Sequence, residues 1–419
     1  MESVERLLVK PARLEGTVTL GGAKNSALRL LAASLLTPER VSLLNHPNQL
    51  LDAQVHLDML RVLGKDVSVI GTDQVVLSES TALKTCLTWN DRSIRNTLLI
   101  LGALVTRFGE ARVPLPGGCQ LGDRKYDLHV MLLEKLGAEV FEEGGYLCAT
   151  AAKGLKRADI HLPIRSTGAT ENAIIASCLA SGTTRIWNPH IRPEILDLVA
   201  MLRSMGANIE VFGQEHVKVT GVEGLSGTEH RVIPDNMEAI TWLIGAVMTA
   251  GEVEIRDFPY RDLEVVLAHL KAAGAALYRA DDALLVRGGT CYPVEISTGP
   301  HPGINSDVQP LLAAWGARAL GESRITDLRF PGRYGYAQEM AKMGLRYEIV
   351  GDMLVIHGAG GRLAGAEVRA LDLRAGAALT LCGLMAEGET VITDAWQIFR
   401  GYDRFLEKLR GLGADVQSI

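Results

Sequence analysis

At 419 residues the chain is too long for one compact core and calls for two domains of about 200 residues each. Apolar residues make up 47% and charged residues 22%, a globular balance, and the net charge of −6 comes without a block of like charge, which argues against a nucleic-acid partner or an anionic membrane surface. No apolar run reaches the roughly 18 residues that a bilayer crossing needs, since Leu98 to Val105 and Ala375 to Met385 both fall short.

The opening stretch, MESVERLLVKPARLEG, has no basic segment followed by an apolar run, so no signal peptide is expected and a cytoplasmic location is. Six cysteines (86, 119, 148, 178, 291 and 382) are scattered without a CxxC pair, which suits reduced thiols better than a disulfide framework or a zinc site. The first predicted strand runs from Leu7 to Leu20. It precedes every repeat described below and is expected to pair in the second domain, so that the chain crosses between domains twice.

Next comes Gly21-Gly22-Ala23-Lys24-Asn25-Ser26, directly before an apolar helix from Ala27. Glycines let a backbone approach a ligand closely, Lys24 supplies a point charge, and the free N–H groups of a helix start favour anions. The segment is not a P-loop, because GxxxxGK[ST] is absent. A plain helix start with a solvated lysine is an equal alternative.

From here one pattern recurs six times. An apolar helix leads through a Gly- or Pro-containing turn to a strand, as in ALRLLAASLLTPERVSLLN and NTLLILGALVTRFGEARVPL. These helices are apolar nearly all round and should be buried. An amphipathic helix then runs into a glycine and a second strand, as in HLDMLRVLGKDVSVI. The six glycines are Gly64, Gly137, Gly206, Gly274, Gly344 and Gly413, spaced 73, 69, 68, 70 and 69 residues apart. Each stands where a left-handed helix cap belongs. Units of about 70 residues are too large for a solenoid. Two domains of three units fit better: residues 21–232, and 1–20 with 233–419. The class is α/β (α+β), with helices inside and sheets outside.

Within the second unit, PLPGGCQLGDRKYDLH (Pro114 to His129) is a loop, since paired glycines and prolines forbid a helix or central strand. Cys119 followed five residues later by Arg124 can have a lowered thiol pKa or hold an anion beside it. A surface turn with an incidental cysteine is the bland alternative. The remaining buried helices start at Arg95-Asn96-Thr97, Ser166-Thr167-Gly168-Ala169-Thr170-Glu171-Asn172, Asp235-Asn236-Met237-Glu238, Asn305-Ser306-Asp307 and Asp372-Leu373-Arg374. Singly, each reads as a cap. Together they could line a cleft between the domains, the usual home of a small-molecule site. Lys24, Arg95, Arg124, Arg374 and the Arg400 of RGYD point to an anionic substrate such as a phosphate or carboxylate. Asp307 is the best general-base candidate, at even odds with an N-cap.

The combination GGAKN, the PGGC loop with Arg124 and DLH, GATEN, PHPG with SDVQP, DLRAGAAL and RGYDR resembles the UDP-N-acetylglucosamine 1-carboxyvinyltransferase family, from about Leu7 onwards. The sister family, 5-enolpyruvylshikimate-3-phosphate synthase, shares the architecture but lacks the PGGC loop. The resemblance implies a two-domain inside-out α/β barrel, each domain three βαβαββ units, with the active site in the cleft between them. It implies transfer of the enolpyruvyl group of phosphoenolpyruvate to an acceptor hydroxyl, through a tetrahedral ketal, with release of phosphate.

By matching position, Cys119 is the general acid, and the thiol that can form an adduct with phosphoenolpyruvate and react with fosfomycin. Lys24, Arg124 and Arg400 grip phosphate and carboxylate, Arg95 holds the loop or the phosphate, and Asp307 deprotonates the acceptor. Asn25 touches the sugar, Asp372 and Arg374 order the site, and Asp127, Leu128, Ser166, Thr167, Gly168 and Arg333 complete the substrate contacts. No metal or organic cofactor is implied, and the expected partners are small molecules, phosphoenolpyruvate and a UDP-sugar or other nucleotide. The chain departs from the family pattern at Asn96 and Thr97, Asp123, Lys125-Tyr126, Arg192, Asn236, Gln397 and Phe399. Two further readings stand beside the main one: a paralogue acting on another nucleotide in secondary metabolism, and a catalytically dead binding protein that keeps the fold.

Overall fold

The computed structural model describes residues 4–92, 94–115, 126–360 and 362–419. They divide into two compact units, one of Gly22–Ile233 and one of Met1–Gly21 with Pro234–Ile419. Among the described residues twelve α-helices alternate between two kinds. In chain order they are α1 (Lys24–Ala33), α2 (Leu51–Leu63), α3 (Thr97–Phe108), α4 (Asp127–Lys135), α5 (Thr167–Ser177), α6 (Pro193–Ser204), α7 (Asn236–Met248), α8 (Tyr260–Ala272), α9 (Gln309–Arg318), α10 (Gly335–Lys342), α11 (Leu373–Met385) and α12 (Phe405–Gly411).

The odd-numbered helices are the apolar ones. α7 is buried along its whole length, and α5 and α11 nearly so, because each lacks a charged stripe to turn to water. The even-numbered helices bury one face, and each is followed at the repeat glycine by a backbone φ between 87° and 103°, where a Cβ would be strained.

A strand follows each buried helix, and in all six repeats it pairs in parallel on one side and antiparallel on the other. Val41–Leu44 pairs with Thr228–Arg231 and Gln74–Ser78, and Thr183–Trp187 with Asp159–His161 and His216–Thr220. Glu110–Pro114 pairs antiparallel with Tyr146–Thr150 and bridges Cys86 in parallel. In the other unit, Glu252–Arg256 pairs with Glu15–Thr19 and Ala283–Arg287, Leu320–Thr326 with Glu295–Ser297 and Met353–Ala359, and Thr390–Thr393 with Glu367–Arg369 and Arg6–Val9. Each unit encloses its own apolar core, built around Leu30, Leu101 and Ile174 in one and Trp242, Trp315 and Leu379 in the other.

The structure differs from the sequence reading in three places. The segment Pro114 to His129, expected as loop throughout, has Pro114 at the end of the strand Glu110–Pro114 and Asp127, Leu128 and His129 in the first turn of α4. The single strand expected over Leu7 to Leu20 is two strands in two sheets, Arg6–Val9 and Glu15–Thr19. Pro11 between them has no N–H to continue a ladder. The first helix begins at Lys24 rather than Ala27. Gly22 before it serves packing: a Cβ there would lie 1.8 Å from the Asn45 carbonyl oxygen. No helix among the described residues is long and apolar enough to cross a membrane.

Candidate active site

In the unit Gly22–Ile233, polar groups gather where α1, α3, α4 and α5 begin. Lys24 is 8% exposed, and its Nζ lies 2.7 Å from Asp52 Oδ2 on α2. At the start of α3, Asn96 donates from Nδ2 to the Leu28 carbonyl at 2.8 Å and lies 3.4 Å from His56 Nδ1. Leu28 is one turn along α1 from Lys24, and His56 one turn along α2 from Asp52, so three helices are tied together at one end. Asn25 is half-buried beside Lys24, and its neighbour Ser26 donates to Asp197.

Arg95 is half-buried just ahead of α3. Burial, and then the nearby Arg95 charge, push His129 on α4 down to about 3, so its imidazole is neutral. His129 Nδ1 lies 3.0 Å from Asn172 Nδ2 on α5. Gly168, in the first turn of α5, leaves room for that ring: a Cβ would come within 3.1 Å of His129 Nε2. Ser166 caps α5, its Oγ accepting from Ala169 N at 3.4 Å, and Thr167 Oγ1 lies 2.9 Å from His190 Nδ1. Asp127 and Leu128 open α4 and help line a cavity of about 480 Å³ with Met131, Lys135, Asp159 and His161. Arg95, His129, Gly168 and Asn172 are thus brought together, and Lys24 is paired with Asp52. Cys119 and Arg124 lie outside the described residues.

The other unit holds a second group. Arg333 reaches two carboxylates, with Nη1 3.5 Å from Asp307 Oδ1 and Nη2 2.8 Å from Asp372 Oδ2. Burial works against its charge, and the two carboxylates outweigh burial to raise its pKa. Asp372 also caps α11, Oδ1 accepting from Arg374 N and Ala375 N at 2.8 Å each. Arg374 is 1% exposed and lies 5.0 Å over the Tyr402 ring. Burial again opposes the charge, while Tyr402, Asp235 and Asp307 hold the guanidinium protonated.

Arg374 Nε and Nη1 and Arg333 Nε have no hydrogen-bond partner among the described residues. Buried guanidinium donors left in that state suit a carboxylate or phosphate, which would satisfy them in pairs. Arg400 closes a 3-10 turn, Ala395–Arg400, with Nη1 3.0 Å from Gln397 Oε1. It stands two residues before Tyr402, whose ring Arg374 covers.

Several departures from the family pattern are engaged within their own unit. Tyr126 donates its hydroxyl to Glu142, and Arg192 forms a two-pronged pair with Glu194 at 2.7 and 2.9 Å. Asn236 is buried as the first residue of α7. Asp123 and Lys125 lie outside the described residues. Sequence reasoning missed Asp52, because an acid in the first turn of a helix reads as a complement to the dipole. It also missed Tyr402, though it stands inside a quoted motif, RGYD. Among the described residues no group of three or more His, Cys, Asp or Glu could hold a metal ion.

Comparison with known proteins gives consistent matches. The family described as EPSP synthase (3-phosphoshikimate 1-carboxyvinyltransferase) matches residues 8–409. A Gluconacetobacter diazotrophicus protein named UDP-N-acetylglucosamine 1-carboxyvinyltransferase is 41% identical over 410 residues, 97% of each chain. A protein of the same name from Shewanella pealeana is 39% identical over 409 residues, again 97% of each. Among solved structures, the enolpyruvyl transferase NikO from Streptomyces tendae is similar with a TM-score of 0.89 and 27% identity, over 99% of this chain and 98% of NikO.

Proposed function

Because the chain belongs to the EPSP synthase (3-phosphoshikimate 1-carboxyvinyltransferase) family and is an enolpyruvyl transferase, we propose that it transfers the enolpyruvyl group of phosphoenolpyruvate to a hydroxyl of UDP-N-acetylglucosamine in peptidoglycan precursor synthesis. One observation carries the acceptor: identity of 39% and 41% across 97% of both chains to relatives named for that substrate.

The chemistry needs two stages. A proton is added to C3 of phosphoenolpyruvate while the acceptor oxygen attacks C2, giving a tetrahedral ketal. A proton then leaves C3, the double bond re-forms, and the C2–O bond to phosphate breaks. Cys119 would supply the first proton, and Asp307 would take the proton of the acceptor hydroxyl. The Asp307 carboxylate stands 3.5 Å from Arg333 Nη1. Lys24, Arg95, Arg124 and Arg400 would offset the charges of phosphoenolpyruvate, and the nitrogens of Arg374 and Arg333 that have no hydrogen-bond partner among the described residues would add fixed donors. Asn25, Asp127, Leu128, Ser166, Thr167 and Gly168 would hold the acceptor, and Asp372 orders Arg333 and Arg374 through its two oxygens.

A second reading is a transferase for another nucleotide. It is favoured by the basic Arg192 beside the start of α6, where the family commonly has an acidic residue. Phosphate release from phosphoenolpyruvate separates the readings. We expect release with UDP-N-acetylglucosamine. Release only with another nucleotide in a panel would transfer the conclusion to the second reading, and the absence of release with every acceptor would sink both.

A further inference from the structure

Asp327 has no exposed surface, yet its carboxylate is surrounded by donors. Oδ1 accepts from Thr298 Oγ1 at 2.8 Å, from Arg329 N at 2.9 Å and from Phe330 N at 3.1 Å. Oδ2 accepts from Ser306 Oγ at 2.5 Å and from Gln309 Nε2 at 2.9 Å. Five bonds from hydroxyl, amide and backbone groups replace the water that a buried carboxylate gives up.

The donors come from three separate segments. Thr298 follows the strand Glu295–Ser297, Ser306 and Gln309 flank Asp307 on either side, and Arg329 and Phe330 lead into Arg333. The Asp327 backbone adds a further tie, its N–H donating at 3.0 Å to the hydroxyl of Tyr334, the residue after Arg333. Tyr334 in turn donates to the Asp352 carbonyl at 2.6 Å. Asp307 and Arg333 therefore meet because one carboxylate holds both of the segments that carry them.

We infer that Asp327 is a positioning residue for the reaction: it fixes Asp307 and Arg333 relative to each other without touching substrate. The inference rests on the reading of Asp307 as the group that deprotonates the acceptor. A displacement of about 1 Å at a reacting group can cost on the order of 100-fold in rate. In Asp327→Asn one carboxylate oxygen becomes an amide donor: turned toward Arg329 N and Phe330 N it faces fixed backbone donors, and turned the other way it forces Ser306 and Gln309 to reverse their roles. The loop geometry then relaxes with little change in volume.

The test uses the full chain with phosphoenolpyruvate and UDP-N-acetylglucosamine. D327N is expected to lower kcat about 10- to 100-fold, to leave the KM for phosphoenolpyruvate within about twofold, and to keep a cooperative melt. D327E should recover part of the lost kcat. Should D327N fail to fold, Ser306→Ala, which removes one donor, should give the same pattern with a smaller fall in kcat. Unchanged kcat in the folded variant overturns the inference alone, as does a fall in kcat matched by an equal loss of phosphoenolpyruvate affinity. An unaltered chain that releases no phosphate with this acceptor overturns the functional reading, and the inference falls with it.

Discussion

Three histidines in the unit Gly22–Ile233 are buried without charge. Burial takes His46 down to about 4, the Asn48 hydrogen bond only partly opposing it. Burial and the neighbouring His46 take His56 down to about 3, and His129 is held at about 3 by burial and Arg95. Above pH 6.5 these groups are neutral whether the chain is folded or not, and they cost nothing. Below it the unfolded chain takes up protons that the folded chain refuses, so stability falls until the pH reaches the folded values, between 4 and 3. Three such groups give a slope of about 4 kcal/mol per pH unit near pH 5. Urea unfolding midpoints at pH 7.5 and pH 5 should show that fall, and His56→Leu should remove about a third of the slope. An unchanged slope in that variant would mean that His56 is not kept neutral by burial. None of this was legible in the sequence, where a lone histidine in an apolar stretch carries no sign of its depth. Asp327 was equally silent, since its five donors come from segments that only the fold brings together. Asp307, Asp372 and Arg374 were legible because they stand at helix starts inside recognisable motifs.

Among the elements, the six-fold alternation of buried and half-buried helices was readable from periodicity, and the repeat glycines from their place after each amphipathic face. What periodicity could not convey is how closely two buried helices approach. Gly102 sits in the middle of α3, where a glycine reads as a weak point in a helix. In the structure a Cβ there would lie 1.9 Å from Asn172 Oδ1 on α5. Asn172 is fully buried and lies within hydrogen-bond distance of His129, so it has nowhere to retreat without breaking that contact. Gly102→Ala should therefore destabilise the protein by about 1–3 kcal/mol, although alanine is the better helix former. A thermal melt equal to or above that of the unaltered chain would show that α3 and α5 can part freely.

At the scale of the whole molecule, the two units are unequal in sequence continuity. Every sheet of the unit Gly22–Ile233 is built from strands within it, closing with Thr228–Arg231 against Val41–Leu44. Two sheets of the other unit borrow strands from residues before position 21, Arg6–Val9 and Glu15–Thr19. A fragment of residues 22–233 should unfold cooperatively in urea on its own. Residues 234–419 alone should not, because Arg6–Val9 is the inner strand between Thr390–Thr393 and Val416–Ser418. Cooperative unfolding of the second fragment would contradict this account. The borrowed strand was anticipated as one element, and the break at Pro11 went unread because the apolar pattern continues past it.

That inner strand sets a timetable for the growing polypeptide. Arg6 donates to Glu367, a partner 361 residues later in sequence. At about 5–20 residues per second of synthesis, Arg6–Val9 waits tens of seconds for the strands on either side of it. During that interval an apolar segment with both edges open is tethered to a unit that can already fold, and the ribosome-bound chain has to shield it until its last strands emerge.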